Sequence, residues 1–142
     1  MKNTWKYLRF SLIIALMLSI CGCGGVAKSV EKEYYMDVNN YITEEAIVYA
    51  IDYHEDLGYI SFGLTSISTE YQGNNFIIRG KSFDKVIEND VLGKIKINDV
   101  IEFTSAPAYF GNGYVMPIVQ LSIDGEILLS FEEGYANLLE LY

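Results

Sequence analysis

Hydrophobic positions change their spacing along the chain. Phe10 to Ile20, "FSLIIALMLSI", is eleven residues without a charge, preceded by Lys2, Lys6 and Arg9 and followed by small residues. That order has the form of a secretory leader, because a spanning helix needs about 20 apolar residues. From Asn39 the spacing changes. Ile42, Ala46, Tyr49, Ala50, Tyr53 and Leu57 recur every three or four residues, which predicts a helix capped by Thr43 and ended by Gly58. The same stretch contains "AIVYAID", Ala46 to Asp52, whose β-branched and aromatic content supports a competing strand.

Further on, strand composition dominates. "LTSISTEYQGNNFIIRGKS", Leu64 to Ser82, predicts a hairpin turning at Gln72 to Asn75, with Ile67, Thr69 and Tyr71 meeting Phe76 and Ile78 across it. Ser82 can cap a single helical turn containing Val86 and Ile87. "IKINDVIEF", Ile95 to Phe103, reads as a tight turn into a strand of the kind found in small β-barrels. Asn112-Gly113 and Asp124-Gly125 predict two further turns, the second placing Ile123 opposite Glu126 and Leu121 opposite Leu128. Val115, Pro117, Val119, Leu121 and Ile123 fall on one face, and Pro117 requires an edge or bulge at its end. The chain closes with a helix in which Ser130 and Glu133 form a capping box and Tyr135, Leu138, Leu139 and Tyr142 form an apolar stripe. The expected fold class is α+β, a small antiparallel and barrel-like sheet with a C-terminal helix.

Both cysteines stand directly after the apolar run, in "ICGC", Ile20 to Cys23. A structural zinc site needs four ligands, and this chain offers two cysteines one residue apart and a distant His54. A redox pair is normally C-x-x-C. The stretch resembles the lipobox of bacterial lipoproteins, with an aliphatic residue three positions before Cys23 and Gly22 immediately before it. Cys21, at the middle position, departs from the small or branched residue usual there. The resemblance implies cleavage ahead of Cys23 and a diacylglyceryl group on its sulfur, hence a palmitate-bearing chain held on the extracytoplasmic face of the cell membrane. It covers residues 1–23 only.

On that reading residues 1–22 are the signal peptide, 23–35 the lipidated cysteine and a short tether, and 36–142 a single domain. All nineteen acidic residues lie after the leader against seven basic ones, so the mature chain carries a formal charge of 12 negative. Such a surface repels nucleic acid and gains nothing from a polybasic grip on anionic lipid, so membrane attachment falls to the acyl chains.

No catalytic constellation emerges. His54 lacks a nucleophile in a Gly-x-Ser-x-Gly context, and the pairs Glu44-Glu45, Glu55-Asp56 and Glu132-Glu133 lack a calcium-loop pattern, so no metal or cofactor is called for. "APAYFGNGY", Ala106 to Tyr114, places Tyr109, Phe110 and Tyr114 on a loop between prolines 107 and 117 and is the candidate recognition surface for an envelope protein. The expected function is a noncatalytic binding or structural module. Two alternatives stand beside it: an inhibitor or immunity-type protein masking a basic partner, and an envelope hydrolase using a shielded carboxylate such as Glu55 or Asp84.

Overall fold

The structure is a computed structural model that describes residues 23–67, 72–107 and 116–142. In chain order the elements are helix α1 (Cys23–Met36), strands β1 (Ile42–His54), β2 (Tyr59–Ser66) and β3 (Gln72–Arg79), helices α2 (Lys81–Glu88) and α3 (Val91–Lys94), strands β4 (Val100–Ser105), β5 (Met116–Ile123) and β6 (Glu126–Leu129), and helix α4 (Phe131–Leu139). Single 3-10 turns at Val38–Asn40 and Glu55–Leu57 flank β1. None of the described helices is long and apolar enough to cross a membrane.

Strands β1, β2 and β3 form an antiparallel meander, and β4 returns to the other edge of β1. This 4-1-2-3 order is a Greek key. β5 pairs antiparallel with β4 and then parallel with β3, through Phe76 opposite Met116 and Ile77 opposite Pro117. The ring of five strands is therefore a closed mixed barrel, with β6 hairpinned onto β5. Pro117 sits at this short seam, where a residue without an N–H is tolerated.

Phe62, Phe76, Phe103, Ile60, Ile78 and Leu121 fill the interior, with Phe76 and Phe103 edge to face at 4.9 Å. Helix α2 closes one end through Phe83 and Val86. It runs for two turns and is capped by Gly80, so Ser82 is not the cap; Ser82 is buried in the first turn and its hydroxyl accepts from the Asn137 amide at 3.2 Å.

The helix expected from Ile42 to Leu57 is instead β1, thirteen residues long. A bulge between Val48 and Ala50 inserts an extra residue, so the positions facing Leu64, Phe62 and Ile60 across β2 are Val48, Ile51 and Tyr53. The three- and four-residue spacing of the expected helix instead joins buried Ala46 to Ile42, Tyr49, Tyr53 and Leu57, which are apolar but exposed, so it does not mark one buried face. The hairpin that follows is also shifted: Phe76 and Ile78 pair with Phe62 and Ile60, not with residues near Ile67, and β3 already begins at Gln72. Thr69 and Tyr71 lie outside the described residues, as does the Asn112-Gly113 turn.

Other turn readings hold. Asn98 at φ 78° opens the loop into β4, and the Lys96 N–H donates to the Asp99 carboxylate at 2.7 Å. Asp124 and Gly125 at φ 51° and 80° make the expected two-residue turn with Ile123 opposite Glu126. Leu121, however, faces Leu129 and not Leu128, because the register shifts between Leu121 and Ser122. Nor does β5 keep one apolar face: Met116, Ile118, Leu121 and Ile123 join the barrel core while Val119 packs with Leu138 on the other side.

Ser130 caps α4, its oxygen accepting from the Glu133 N–H at 3.3 Å and its hydroxyl donating to the Glu133 carboxylate at 3.0 Å. The segment expected as an irregular tether is the helix α1, whose last turn docks against the domain. Tyr35 is buried there with Val119 and Leu138, and Tyr34, Tyr41, Phe131 and Tyr142 close around them. The phenols are satisfied by backbone carbonyls: Tyr34 donates to Pro107 O at 2.7 Å, Tyr41 to Tyr35 O at 2.9 Å and Tyr135 to Met36 O at 2.7 Å. These tyrosines fasten α1 and α4 to the barrel.

Candidate binding site

The β1–β2 connection is one 3-10 turn closed by Gly58 at φ 63°, a left-handed conformation that glycine adopts at little cost. Its carbonyl accepts from the Gly80 N–H at 3.3 Å, which draws the end of β3 alongside. Tyr59 and Arg79 are register partners and so lie on one face of the sheet, opposite in sense to buried Ile60 and Ile78. The His54 ring packs on Tyr59 at 4.5 Å. From the other side Leu141 and Tyr142 arrive after α4, and Glu31 arrives from α1.

Glu31, Leu57, Gly58, Arg79, Gly80, Leu141 and Tyr142 border an open cavity of about 510 Å³, with His54 and Tyr59 outside its lining. Its size falls in the range of small-molecule sites. The cavity is amphipathic: Leu57 is 70% exposed and Leu141 41%, although both are leucines.

Arg79 differs from its neighbours. Lys81 is paired with Glu140 at 2.6 Å, Lys85 with Glu133 at 3.7 Å and Lys94 with Glu126 at 2.6 Å. Among the described residues Arg79 has no carboxylate partner, and its guanidinium donates only to the Tyr142 hydroxyl at 3.3 Å. Burial pushes the Tyr142 phenol up, and the nearby Arg79 charge pulls it the other way.

Tyr109, Phe110 and Tyr114 lie outside the described residues. The ends of their segment are placed: Pro107 is held by Tyr34, and Met116 sits at the β3–β5 seam. Cys23 is the first residue of α1. Glu55 is exposed on the β1–β2 turn and Asp84 is exposed in the first turn of α2, so neither carboxylate is shielded by neighbouring aromatics. His54 is exposed at the end of β1. Among the described residues no three His, Cys, Asp or Glu side chains stand together as metal ligands.

The sequence reading missed Arg79. The available signal was that Arg79 is the only arginine after the leader, in "FIIRGKS", within a strongly acidic domain.

A closed five-stranded Greek-key barrel with a helix between its third and fourth strands defines an OB-type barrel, a scaffold that carries many unrelated functions. The chain matches no protein-family model, no curated protein and no solved structure.

Proposed function

We propose that the chain is a lipoprotein of the cell envelope, anchored at the extracytoplasmic membrane face by acyl chains on Cys23, and that its barrel is a noncatalytic binding module. The observation that carries the binding reading is the cavity at Arg79, where an unpaired guanidinium and solvent-facing leucines surround open space. A ligand seated there gains apolar contact from the leucines and a directed contact from the guanidinium.

The anchor reading rests on "ICGC" after the eleven-residue apolar run. Two or three acyl chains, at roughly 0.8 kcal/mol per buried CH₂, hold a protein stably where one chain is marginal. Glu31 stands eight residues after Cys23 on α1, roughly 12 Å along the helix axis at 1.5 Å per residue. The cavity would therefore face ligands arriving at, or embedded near, the membrane surface. The segment carrying Tyr109, Phe110 and Tyr114 serves in this reading as a second recognition element. Partners are envelope components; the charge of the mature chain argues against nucleic acid.

A second reading is an inhibitor or immunity-type protein that masks a basic partner. It is favoured by the formal charge of 12 negative and by Lys81, Lys85 and Lys94 being tied to carboxylates. The hydrolase alternative requires two carboxylates across a cleft, and the Arg79 cavity is lined by one, Glu31.

The test is affinity capture from native envelope extracts with the full chain in detergent, repeated with Arg79→Gln, Tyr59→Ala, Tyr109→Ala and Phe110→Ala. A discrete partner lost in these variants supports the module. A partner kept by all of them but released by modest salt transfers support to the acidic mask. Turnover of a cell-wall or peptide substrate that disappears on changing one carboxylate overturns the noncatalytic reading.

A further inference from the structure

The Arg79 cavity is lined by one cationic and one anionic side chain that form no ion pair with each other among the described residues. Arg79 and Glu31 both line it, and both act on the Tyr142 phenol, Arg79 favouring ionisation and Glu31 opposing it. The Arg79 guanidinium stands 3.3 Å from that hydroxyl, and Glu31 lines the same cavity. No ion pair joins them among the described residues, and the ion pairs nearby engage lysines instead. A guanidinium has five N–H donors in a rigid fork, and only one contact of Arg79, that to Tyr142, is filled.

The formal charge of the cavity is then zero inside a domain of 12 negative. A dianion such as phosphate meets one cation, an adjacent carboxylate and a repulsive surrounding field. A ligand that brings its own ammonium satisfies both side chains and is not repelled. Leu57 and Leu141 line the same cavity, exposed at 70% and 41%, and gain from covering by an aliphatic or aromatic group. The absence of a side chain on Gly58 keeps the wall beside Leu57 open, with no atom within 4 Å of where a Cβ would stand.

We propose that this cavity binds a small zwitterion with an apolar body, an amino acid or short apolar peptide, whose carboxylate meets Arg79, whose ammonium meets Glu31 and whose side chain lies between Leu57 and Leu141. This rests on the binding-module reading above and gives that module its ligand class. The recognition is of the kind in which paired charges fix orientation while the apolar contact supplies affinity. An uncharged peptide interior lacks the carboxylate and is rejected, because Arg79 would be covered without an anion.

The experiment is calorimetric titration of the full chain in detergent micelles with leucyl-leucine, leucyl-leucine amide, N-acetyl-leucyl-leucine and inorganic phosphate. The expected result is saturable binding of leucyl-leucine, weakened about tenfold or more by the amide and by the N-acetyl group, the loss of one charge-assisted contact in each case. Arg79→Gln should abolish the difference between the acid and the amide, and Glu31→Gln the difference between free and acetylated amine. Because the ligand series is read on the unaltered protein, a folding defect in either variant cannot decide the outcome. Saturable phosphate binding that competes with the dipeptide, equal binding of acid and amide, or no saturable binding of leucyl-leucine overturns the proposal. If the dipeptide fails while envelope capture still yields a partner lost with Arg79→Gln, the ligand class falls and the binding module stands. If capture also fails, both fall.

Discussion

A side chain on Gly134 would collide with the backbone carbonyl of Val119, because the first turn of α4 lies directly on strand β5. Glycine costs up to about 1 kcal/mol of helix propensity relative to alanine, so its presence in the first turn looks unfavourable in isolation. The close approach explains it: α4 reaches the strand backbone, and Leu138 then packs on Val119 and Tyr35. Gly134→Ala should therefore destabilise the domain by about 1–3 kcal/mol, the usual penalty of overpacking, despite the gain in propensity. Urea unfolding checks this, and a stabilised variant would show that α4 can move away at no cost.

Leu138 is the buried residue of the α4 stripe. Leu138→Ala should cost about 2–5 kcal/mol in the same assay, and removal of residues 135–142 should cost at least as much. An unchanged unfolding midpoint after that removal would make the helix peripheral.

The fastening of α1 is separable from the core. Tyr135 reaches across 99 positions to donate to Met36 O at 2.7 Å. Tyr135→Phe removes one net hydrogen bond, about 0.5–1.5 kcal/mol. The expected signature is faster amide exchange in residues 30–36, with β1 to β5 unchanged.

Burial pushes the phenols of Tyr35 and Tyr41 well above the ordinary value of 10.0, with neighbouring tyrosine hydroxyls acting the same way. In the unfolded chain these groups titrate near 10. A folded-state value above the unfolded one means that the neutral phenols favour the fold, a contribution fully present below about pH 10 and lost as pH rises through the folded-state values. Stability should accordingly be flat with respect to these two groups between pH 7 and 9 and fall above about pH 10. A Tyr35→Phe, Tyr41→Phe double variant should show a shallower alkaline decline, measured by unfolding at a series of pH values.

Local signals in the sequence located the features that local chemistry decides. Asp124-Gly125 makes its turn and Ser130 with Glu133 makes its cap, because each depends on residues within a few positions. Strand β1 was misread because Ile42, Tyr49, Tyr53 and Leu57 are apolar yet exposed, so apolar positions on both faces of the strand obscure its period of two. The barrel-like sheet of an α+β domain was legible in the run of short strands, but its closing seam was not, since that seam rests on only Phe76 with Met116 and Ile77 with Pro117, a parallel pairing that leaves no local signature. The tyrosines were visible as a count, but the partners of Tyr34 and Tyr135 lie 73 and 99 positions away. The Arg79 cavity likewise needs α1, β3, the β1–β2 turn and the chain after α4 together.

Attachment through Cys23, as proposed, would hold the cavity at the membrane and decide what can reach it. Intact-mass analysis of the membrane fraction tests it most directly. The account predicts a mature chain beginning at Cys23, lacking residues 1–22 and carrying two or three acyl chains. A soluble mature species cut elsewhere, with Cys23 unmodified or absent, would contradict it.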